Sequence, residues 1–205
     1  VLSKKIILIA GPTASGKSKL SIQIANKLNG EIINADSMQI YKEFSILSSR
    51  PNIKETMNTK HHLYGYVSVQ KHYSAGDWLK AVKVKIKNCL KTNKLPIITG
   101  GTGLYFNTIT KGFSNIPNID TRTRNKVRSL FKKLGYKKIY EKLLEIDPKV
   151  KNKILPTDTQ RTQRAYEVKL KTKKSFFLWT AKTKSDFQDY DIKKIFIDIP
   201  REELL

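Results

Sequence analysis

The chain has 205 residues, with 40 Lys and Arg against 17 Asp and Glu, for a formal net charge of +23 at pH 7. This length suits one α/β domain with a real core, or such a domain carrying a small insertion, and no run of about 18 apolar residues exists to make a membrane-spanning helix. The charge points to a polyanionic partner, most simply nucleic acid, although Lys, Asn and Ile abound along the whole chain, as compositional bias would also produce.

Ile6-Ile7-Leu8-Ile9-Ala10 reads as a short buried strand. It enters Gly11-Pro12-Thr13-Ala14-Ser15-Gly16-Lys17-Ser18, a complete G-x-x-x-x-G-K-[ST] pattern. A helical pattern follows over 17–29, with Leu20, Ile22, Ile24, Ala25 and Leu28. Strand, loop and helix in that order are the context a phosphate loop requires. Backbone N–H groups there cradle an anion at a helix N-terminus. Lys17 adds positive charge, and the Ser18 hydroxyl can reach Mg²⁺. A di- or triphosphate is implied, without saying which.

Glu31 to Ala35 reads as a second strand ending at Asp36, and 61–67 as a further short strand. Trp78, Leu79, Val82, Ile86 and Leu90 recur at helical spacing and predict a helix over 75–91. Leu95 to Thr99 is another buried strand, closed by Gly100-Gly101 and followed by a helix over 102–110. Short apolar runs alternating with amphipathic helices predict a parallel sheet covered on both faces. Past Gly112 the pattern becomes helical only, over 121–134, 136–146 and 157–171, with Asp147-Pro148 as an interruption. Strand character returns over 194–199, and 201–205 opens a helix. The expected organisation is an α/β core of residues 1–114 completed by 191–205, with an all-helical insertion over 115–190. Cys89 is a lone cysteine at an apolar helical position, so it reads as a buried thiol. With no leader pattern at the start of the chain, it points to the cytoplasm.

Several polar residues are candidates for chemistry. Asp36 lies at a strand's carboxyl end, where ligands of parallel sheets gather. It can take a proton or support a metal, or simply cap the segment from Ser37. Thr102 stands at a helix start beside three glycines and can be a ligand contact or a cap. No acidic residue follows Ile97-Ile98-Thr99, which argues against a generic ATPase. Thr157 with Gln160 fits a capping box. Behind it, Gln160 and Arg164 share a helix face beside Arg161, suited to bases and phosphates or to plain solvation. His61-His62 point to opposite sides of an extended segment, and no Cys/His cluster completes a metal site in the sequence. Phe176, Phe177 and Trp179 read as packing.

The ordered set of Gly11–Ser18, Asp36-Ser37-Met38-Gln39-Ile40-Tyr41-Lys42, His61-His62-Leu63, Gly100-Gly101-Thr102-Gly103-Leu104-Tyr105 and Gln160-Arg161 with Arg164-Ala165 resembles the tRNA dimethylallyltransferase family. That resemblance covers essentially the whole chain. It implies a P-loop NTPase-like parallel-sheet core with a helical, tRNA-gripping insertion, and transfer of a dimethylallyl group from its pyrophosphate to N6 of an adenine next to the anticodon. On this carry-over Asp36 is the base, with Lys17 and Thr102 also catalytic. Gly11, Thr13, Ala14, Ser15, Gly16, Lys17 and Ser18 hold the pyrophosphate, with Mg²⁺ at Ser18. Asp36, Ser37, Met38, Gln39, Thr102, Arg124, Gln160, Arg161, Thr162, Gln163 and Arg164 meet the anticodon stem-loop. The implied partners are tRNA and dimethylallyl pyrophosphate, with a monomer as the working unit and no membrane.

Two departures stand out. Ser48-Ser49-Arg50-Pro51 replaces the family's Thr-Ala-Lys-Pro, and Thr159 stands where proline is common. Family members also continue for roughly another third of their length, so truncation at the C-terminus and weak or no turnover are expected. A small-molecule or nucleotide kinase that uses ATP, and a non-catalytic tRNA-binding remnant, are the competing readings.

Overall fold

In the computed structural model, which describes residues 4–181 and 183–204, the first strand β1 (Lys5–Ala10) feeds the phosphate loop and helix α1 (Lys17–Leu28). There follow β2 (Gly30–Asn34), a single turn α2 (Ile53–Thr56), β3 (His61–His62), α3 (Ala75–Lys91), β4 (Leu95–Gly100) and α4 (Gly103–Thr110). Helices α5 (Thr121–Ile146), α6 (Thr159–Thr172) and α7 (Phe176–Thr180) precede the last strand β5 (Asp191–Phe196). Among the described residues the strands form one five-stranded parallel sheet in the order β3-β2-β4-β1-β5. The α/β fold expected from the alternation is therefore the one observed.

Alternate residues of each central strand serve opposite faces, which is why these strands are apolar throughout. Ile6, Leu8, Ile33 and Ile98 pack on one face with Trp78, Val82, Ile86 and Cys89 of α3 and with Tyr105 and Ile109 of α4. Ile7, Ile9, Ile32, Leu95 and Ile97 pack on the other with Ala25 of α1. All six residues of β4 are buried. Helix α3 starts at Ser74, whose hydroxyl accepts from Asp77 N while Asp77 returns the bond to Ser74 N, a reciprocal cap. Full burial of a Val, Leu or Ile side chain contributes about 1.5–3 kcal/mol, and Trp78, Val82, Ile86 and Cys89, all fully buried on one helical stripe, anchor α3 to the sheet.

The chain divides into two compact units, Val1–Gly112 with Ser185–Leu205, and Phe113–Lys184. Residues 185–190, expected in the helical insertion, belong instead to the sheet unit. Ser185 Oγ donates to Ile109 O, and Phe187 is buried against the α3 face. In the second unit, Tyr140, Leu143, Val150, Ile154 and Ala165 form a small core, and Tyr140 OH donates to Ile154 O at 2.9 Å. Gly135 (φ 75°, ψ 166°) breaks α5 where two helices were expected.

Three other expectations shift. The strand expected over 61–67 stops after His62, because Leu63 and Gly65 take positive φ. The strand expected over 194–199 begins at Asp191, in register with Lys5, although its exposed Lys193 and Lys194 mask it in a hydrophobicity scan. Such lysines protect an edge strand from pairing with another chain. The cap of α6 is Asp158, which accepts from Arg161 N, and not Thr157. The segment from Arg201 is a 3₁₀ turn to Leu204, and Leu205 lies outside the described residues.

Helix α3 offers a matched pair of substitutions, since Val82 is fully buried and Val84 is 57% exposed. Val82→Ala is expected to lower unfolding free energy by about 2 kcal/mol, and Val84→Ala to change it by no more than about 0.5 kcal/mol. Urea denaturation of the two variants checks this.

Candidate functional site

The loop between β1 and α1 takes backbone shapes that only certain residues allow. Gly16 caps α1 with φ 79°, and Ala14 also lies at positive φ. A Cβ on Gly11 would sit 2.8 Å from Ile197 O, so the chain after β5 closes tightly on the loop. Lys17 folds back over it, donating from Nζ to Pro12 O and, at 3.5 Å, to Ser15 Oγ. Burial lowers the Lys17 pKa, and the Asp36 carboxylate partly offsets that shift. A half-buried cation whose hydrogen-bond partners are neutral oxygens is a site that favours an incoming anion.

At the carboxyl end of the sheet, β2 and β4 meet backbone to backbone. Ala35 N donates to Thr99 O at 2.7 Å, and Thr102 N donates to Ala35 O at 3.1 Å. A Cβ on Gly100 would lie 2.2 Å from Ala35 C and 2.7 Å from Asp36 N, so the contact requires glycine there. Asn34 fixes the next residue from below. Its Oδ1 accepts from Asp36 N at 2.9 Å, and its Nδ2 donates to Asp36 O and to Leu63 O. Trp78 Nε1 donates to Asn34 O at 2.9 Å while its ring stacks on Tyr105 at 4.2 Å. Asp36 Oδ1 accepts from Met38 N at 2.8 Å in a tight turn that no helix follows, so a helix cap is not its role.

Thr102 begins α4 by position, yet its hydroxyl caps nothing. It accepts from Ser37 N at 2.9 Å and donates to Ser37 Oγ at 3.2 Å, clamping the Asp36 turn to the β4 exit. Gln39 Nε2 donates to Ser48 O and Ser49 O, so Gln39 braces the loop above it. Arg50 Nη1 donates to Tyr41 O and occupies the space a side chain at Gly65 would need.

These elements enclose a cavity of about 330 Å³, lined by loop residues Thr13 to Ser18 and by Asp36, Met38, Gln39, Leu47, Ser48, Ser49, Tyr64, Thr99 and Gly100. The structure thus brings together the phosphate loop, Asp36, Met38 and Gln39, with Ser37 and Thr102 directly behind them. Burial, with the Asp36 charge, pushes the Tyr64 hydroxyl well above its ordinary range, so it stays protonated. Tyr64 and Thr99 were not singled out in the sequence, since neither belongs to a pattern that marks chemistry.

Arg124 and residues 160–164 lie in the second unit. Gln160 and Arg161 are exposed, and Arg161 pairs with Asp158 at 3.4 Å. Arg164 pairs with Glu167 at 3.5 Å, and Gln163 bonds the same carboxylate. Thr162 is only 1% exposed and faces inward, so it is withdrawn from the surface expected to meet nucleic acid. Arg124 is half-buried on α5, with Nε unpartnered among the described residues.

A second cluster escaped the sequence reading. Cys89 of α3 and Glu31 of β2 join His62, their donor atoms all within 4.8 Å of one another. One oxygen, Glu31 Oε2, accepts from His62 Nε2 at 2.6 Å and from Cys89 Sγ at 3.5 Å. That oxygen bridges the other two groups, so the three side chains form a hydrogen-bonded network. Burial pushes the Glu31 carboxyl up, but the His62 and Cys89 hydrogen bonds with the His62 and Lys60 charges outweigh it, leaving a lowered pKa. Burial, with Glu31 beside it, raises the Cys89 thiol to about 12.

A family model described as IPP transferase matches residues 39–205. The tRNA dimethylallyltransferase of Pelagibacter ubique (strain HTCC1062) is 55% identical over 201 residues, which are 98% of this chain and 64% of that protein. The tRNA dimethylallyltransferase of Rickettsia felis (strain ATCC VR-1525 / URRWXCal2) is 43% identical over 202 residues, 98% of this chain and 65% of its own length. The chain therefore spans just under two thirds of the length of these curated relatives. A crystal structure described as eukaryotic dimethylallyltransferase acting on tRNA superposes with a TM-score of 0.78 at 32% identity, covering 95% of this chain and 48% of that one. The full-length tRNA isopentenylpyrophosphate transferase of Bacillus halodurans superposes with a TM-score of 0.60 at 30% identity, covering 98% and 62%.

Gly100→Ala is expected to destabilise by about 3 kcal/mol through overpacking, while Gly103→Ala, whose Cβ meets nothing within 4 Å, should be neutral or stabilise by up to about 1 kcal/mol. Equilibrium urea unfolding separates the two. A second expectation concerns acid. Because the Glu31 pKa is lowered on folding, its contribution is present above the ordinary glutamate pKa and lost as pH falls through the lowered one. Glu31→Gln should flatten that acid limb in a plot of stability against pH.

Proposed function

The chain belongs to the IPP transferase family, and on that premise we propose that it transfers a dimethylallyl group from dimethylallyl pyrophosphate to N6 of an adenine next to a tRNA anticodon. The observation that carries this reading is the single cavity shared by the anion-seeking Lys17 loop and the Asp36 carboxylate. In the step, the N6–carbon bond forms as the carbon–oxygen bond to pyrophosphate breaks. The bonding pair leaves with pyrophosphate, and the N6 proton goes to Asp36.

An amine conjugated to a purine is a poor nucleophile, so a carboxylate held within reach of its proton matters. Asp36 is held by Asn34, by the Met38 N–H and by the Ser37–Thr102 clamp, which orient it before substrate arrives. Negative charge growing on the leaving group is met by the loop N–H groups of residues 13–18 and by Lys17. Anion binding would offset the burial that lowers the Lys17 pKa. Met38 and Leu47 are exposed apolar residues on the cavity wall, suited to the prenyl chain and to keeping water from it.

The residues fit a divalent metal. Ser18 lines the cavity as a hydroxyl ligand, and Thr99 presents a buried hydroxyl with no partner among the described residues. Mg²⁺ held there by Ser18 would supply charge neutralisation of the pyrophosphate. The substrate adenine has to leave its stack to reach Asp36. The net charge of +23 suits an RNA partner, with Arg124, Gln160, Arg161 and Arg164 as the proposed contacts on the second unit. The working unit we propose is a monomer. No helix among the described residues is long and apolar enough to cross a membrane, and tRNA as substrate puts the work in the cytoplasm.

The phosphate loop by itself also suits ATP, so the competing reading is a kinase. Against the weak turnover expected of the 205-residue chain, Asp36→Asn is expected to lower prenyl transfer by about 10²–10⁴-fold while leaving pyrophosphate binding in place. The assay incubates unmodified tRNA with the prenyl donor, digests it, and measures prenylated adenosine by mass spectrometry. Undiminished product in Asp36→Asn would remove Asp36 from the mechanism. A thermal shift with ATP but none with dimethylallyl pyrophosphate would favour the kinase.

A further inference from the structure

The carboxyl end of β4 carries a hydroxyl for which the fold has no use. Thr99 is 4% exposed, and its Oγ1 is buried with no hydrogen-bond partner among the described residues. The backbone around it is fully engaged, with Thr99 paired to Ile9 on one side and Asn34 on the other, and its carbonyl accepting from Ala35 N. Leu95 and Ile97, four and two residues earlier, pack on the α1 face, so strand alternation puts the Thr99 side chain on that face, below the start of α1. There it lines the cavity with Lys17, Ser18 and Asp36.

A valine would fill the same volume, suit the strand equally and bury no unpaired oxygen. The hydroxyl is therefore a cost to the fold that a ligand in the cavity would offset. Its position matters too. In phosphate-loop proteins the end of such a strand commonly presents an acidic group that supports the metal through water, and here no acidic residue follows the strand. Of the oxygens at this end, Asp36 Oδ1 already accepts from Met38 N, while both lone pairs of Thr99 Oγ1 are free. Magnesium keeps several waters when it binds phosphates, and a metal-bound water is a strong donor in need of an acceptor.

We propose that Thr99 is a positioning residue whose Oγ1 accepts from a water of the divalent cation that accompanies pyrophosphate in this cavity. The inference rests on the pyrophosphate reading of the loop. It assigns the neutral Thr99 hydroxyl to the task a carboxylate performs elsewhere.

Isothermal titration of inorganic pyrophosphate into the 205-residue chain, with Mg²⁺ and with a chelator in its place, tests this on wild type, Thr99→Val and Thr99→Ser. With Mg²⁺, Thr99→Val should bind about tenfold more weakly, and Thr99→Ser should stay close to wild type. With the chelator, all three should bind alike. Ligand-free Thr99→Val should melt at or above the wild-type temperature, because an unpaired buried hydroxyl has gone. Equal binding by wild type and Thr99→Val with Mg²⁺ overturns the proposal. So does an equal loss in both conditions, which would put the hydroxyl on a phosphate oxygen directly. A lower melting point for ligand-free Thr99→Val would mean that the hydroxyl serves the fold, again overturning it. Wild type that binds no pyrophosphate in either condition removes the underlying reading as well, and that outcome is distinct from the others.

Discussion

The site depends on one contact between two backbones. Where β2 and β4 end, the Ala35–Asp36 peptide passes over Gly100 at a distance that excludes any side chain. The two strands are tied there by Ala35 N to Thr99 O and by Thr102 N to Ala35 O. Everything functional is measured from this crossing. It sets Asp36 at the rim of the phosphate loop, brings Ser37 under the Thr102 hydroxyl, and turns Thr99 into the same cavity. A shift of either strand end by one residue would move all three, since alternate residues point to opposite faces.

Around that crossing the electrostatics are arranged in opposition. Lys17 is held where burial disfavours its charge, and the nearest counter-charge is Asp36. On the proposed reading, a ligand anion would relieve the first condition by pairing with Lys17. The protonated Tyr64 and the Asn34 amide give the carboxylate neutral neighbours, so the site's fixed charges are few. The net charge of +23 is screened by salt where it lies on the surface, and on the proposed reading it would steer a polyanion.

Much of this was legible in the sequence, for local reasons. Strand and helix periods located β1, α1, α3 and β4 closely, and the phosphate-loop pattern lies where its context demanded. What escaped was non-local. Glu31, His62 and Cys89 lie on three separate elements and meet only once β2, β3 and α3 assemble, so the histidines looked solitary. β5 is an edge strand whose outward lysines hide its apolar residues. Helix α7 was read only as aromatic packing, because Phe176–Thr180 is too short to show a helical period. Leu63 and Gly65 stop β3 through backbone conformation, which hydrophobicity does not report. The end of β4 was noted only for its missing acidic residue, and Thr99 needed the structure to show an oxygen without a partner.

Cys89 has a consequence of a different kind. It is the chain's one thiol, it is 1% exposed, and its environment keeps it protonated far above neutral pH. A protonated, enclosed thiol does not react with alkylating reagents. Modification of Cys89 therefore requires α3 to lift from the sheet, and its rate counts those openings. The protein carries a built-in chemical clock for the breathing of its own core, located on the helix whose Trp78 supports Asn34 and, through it, Asp36.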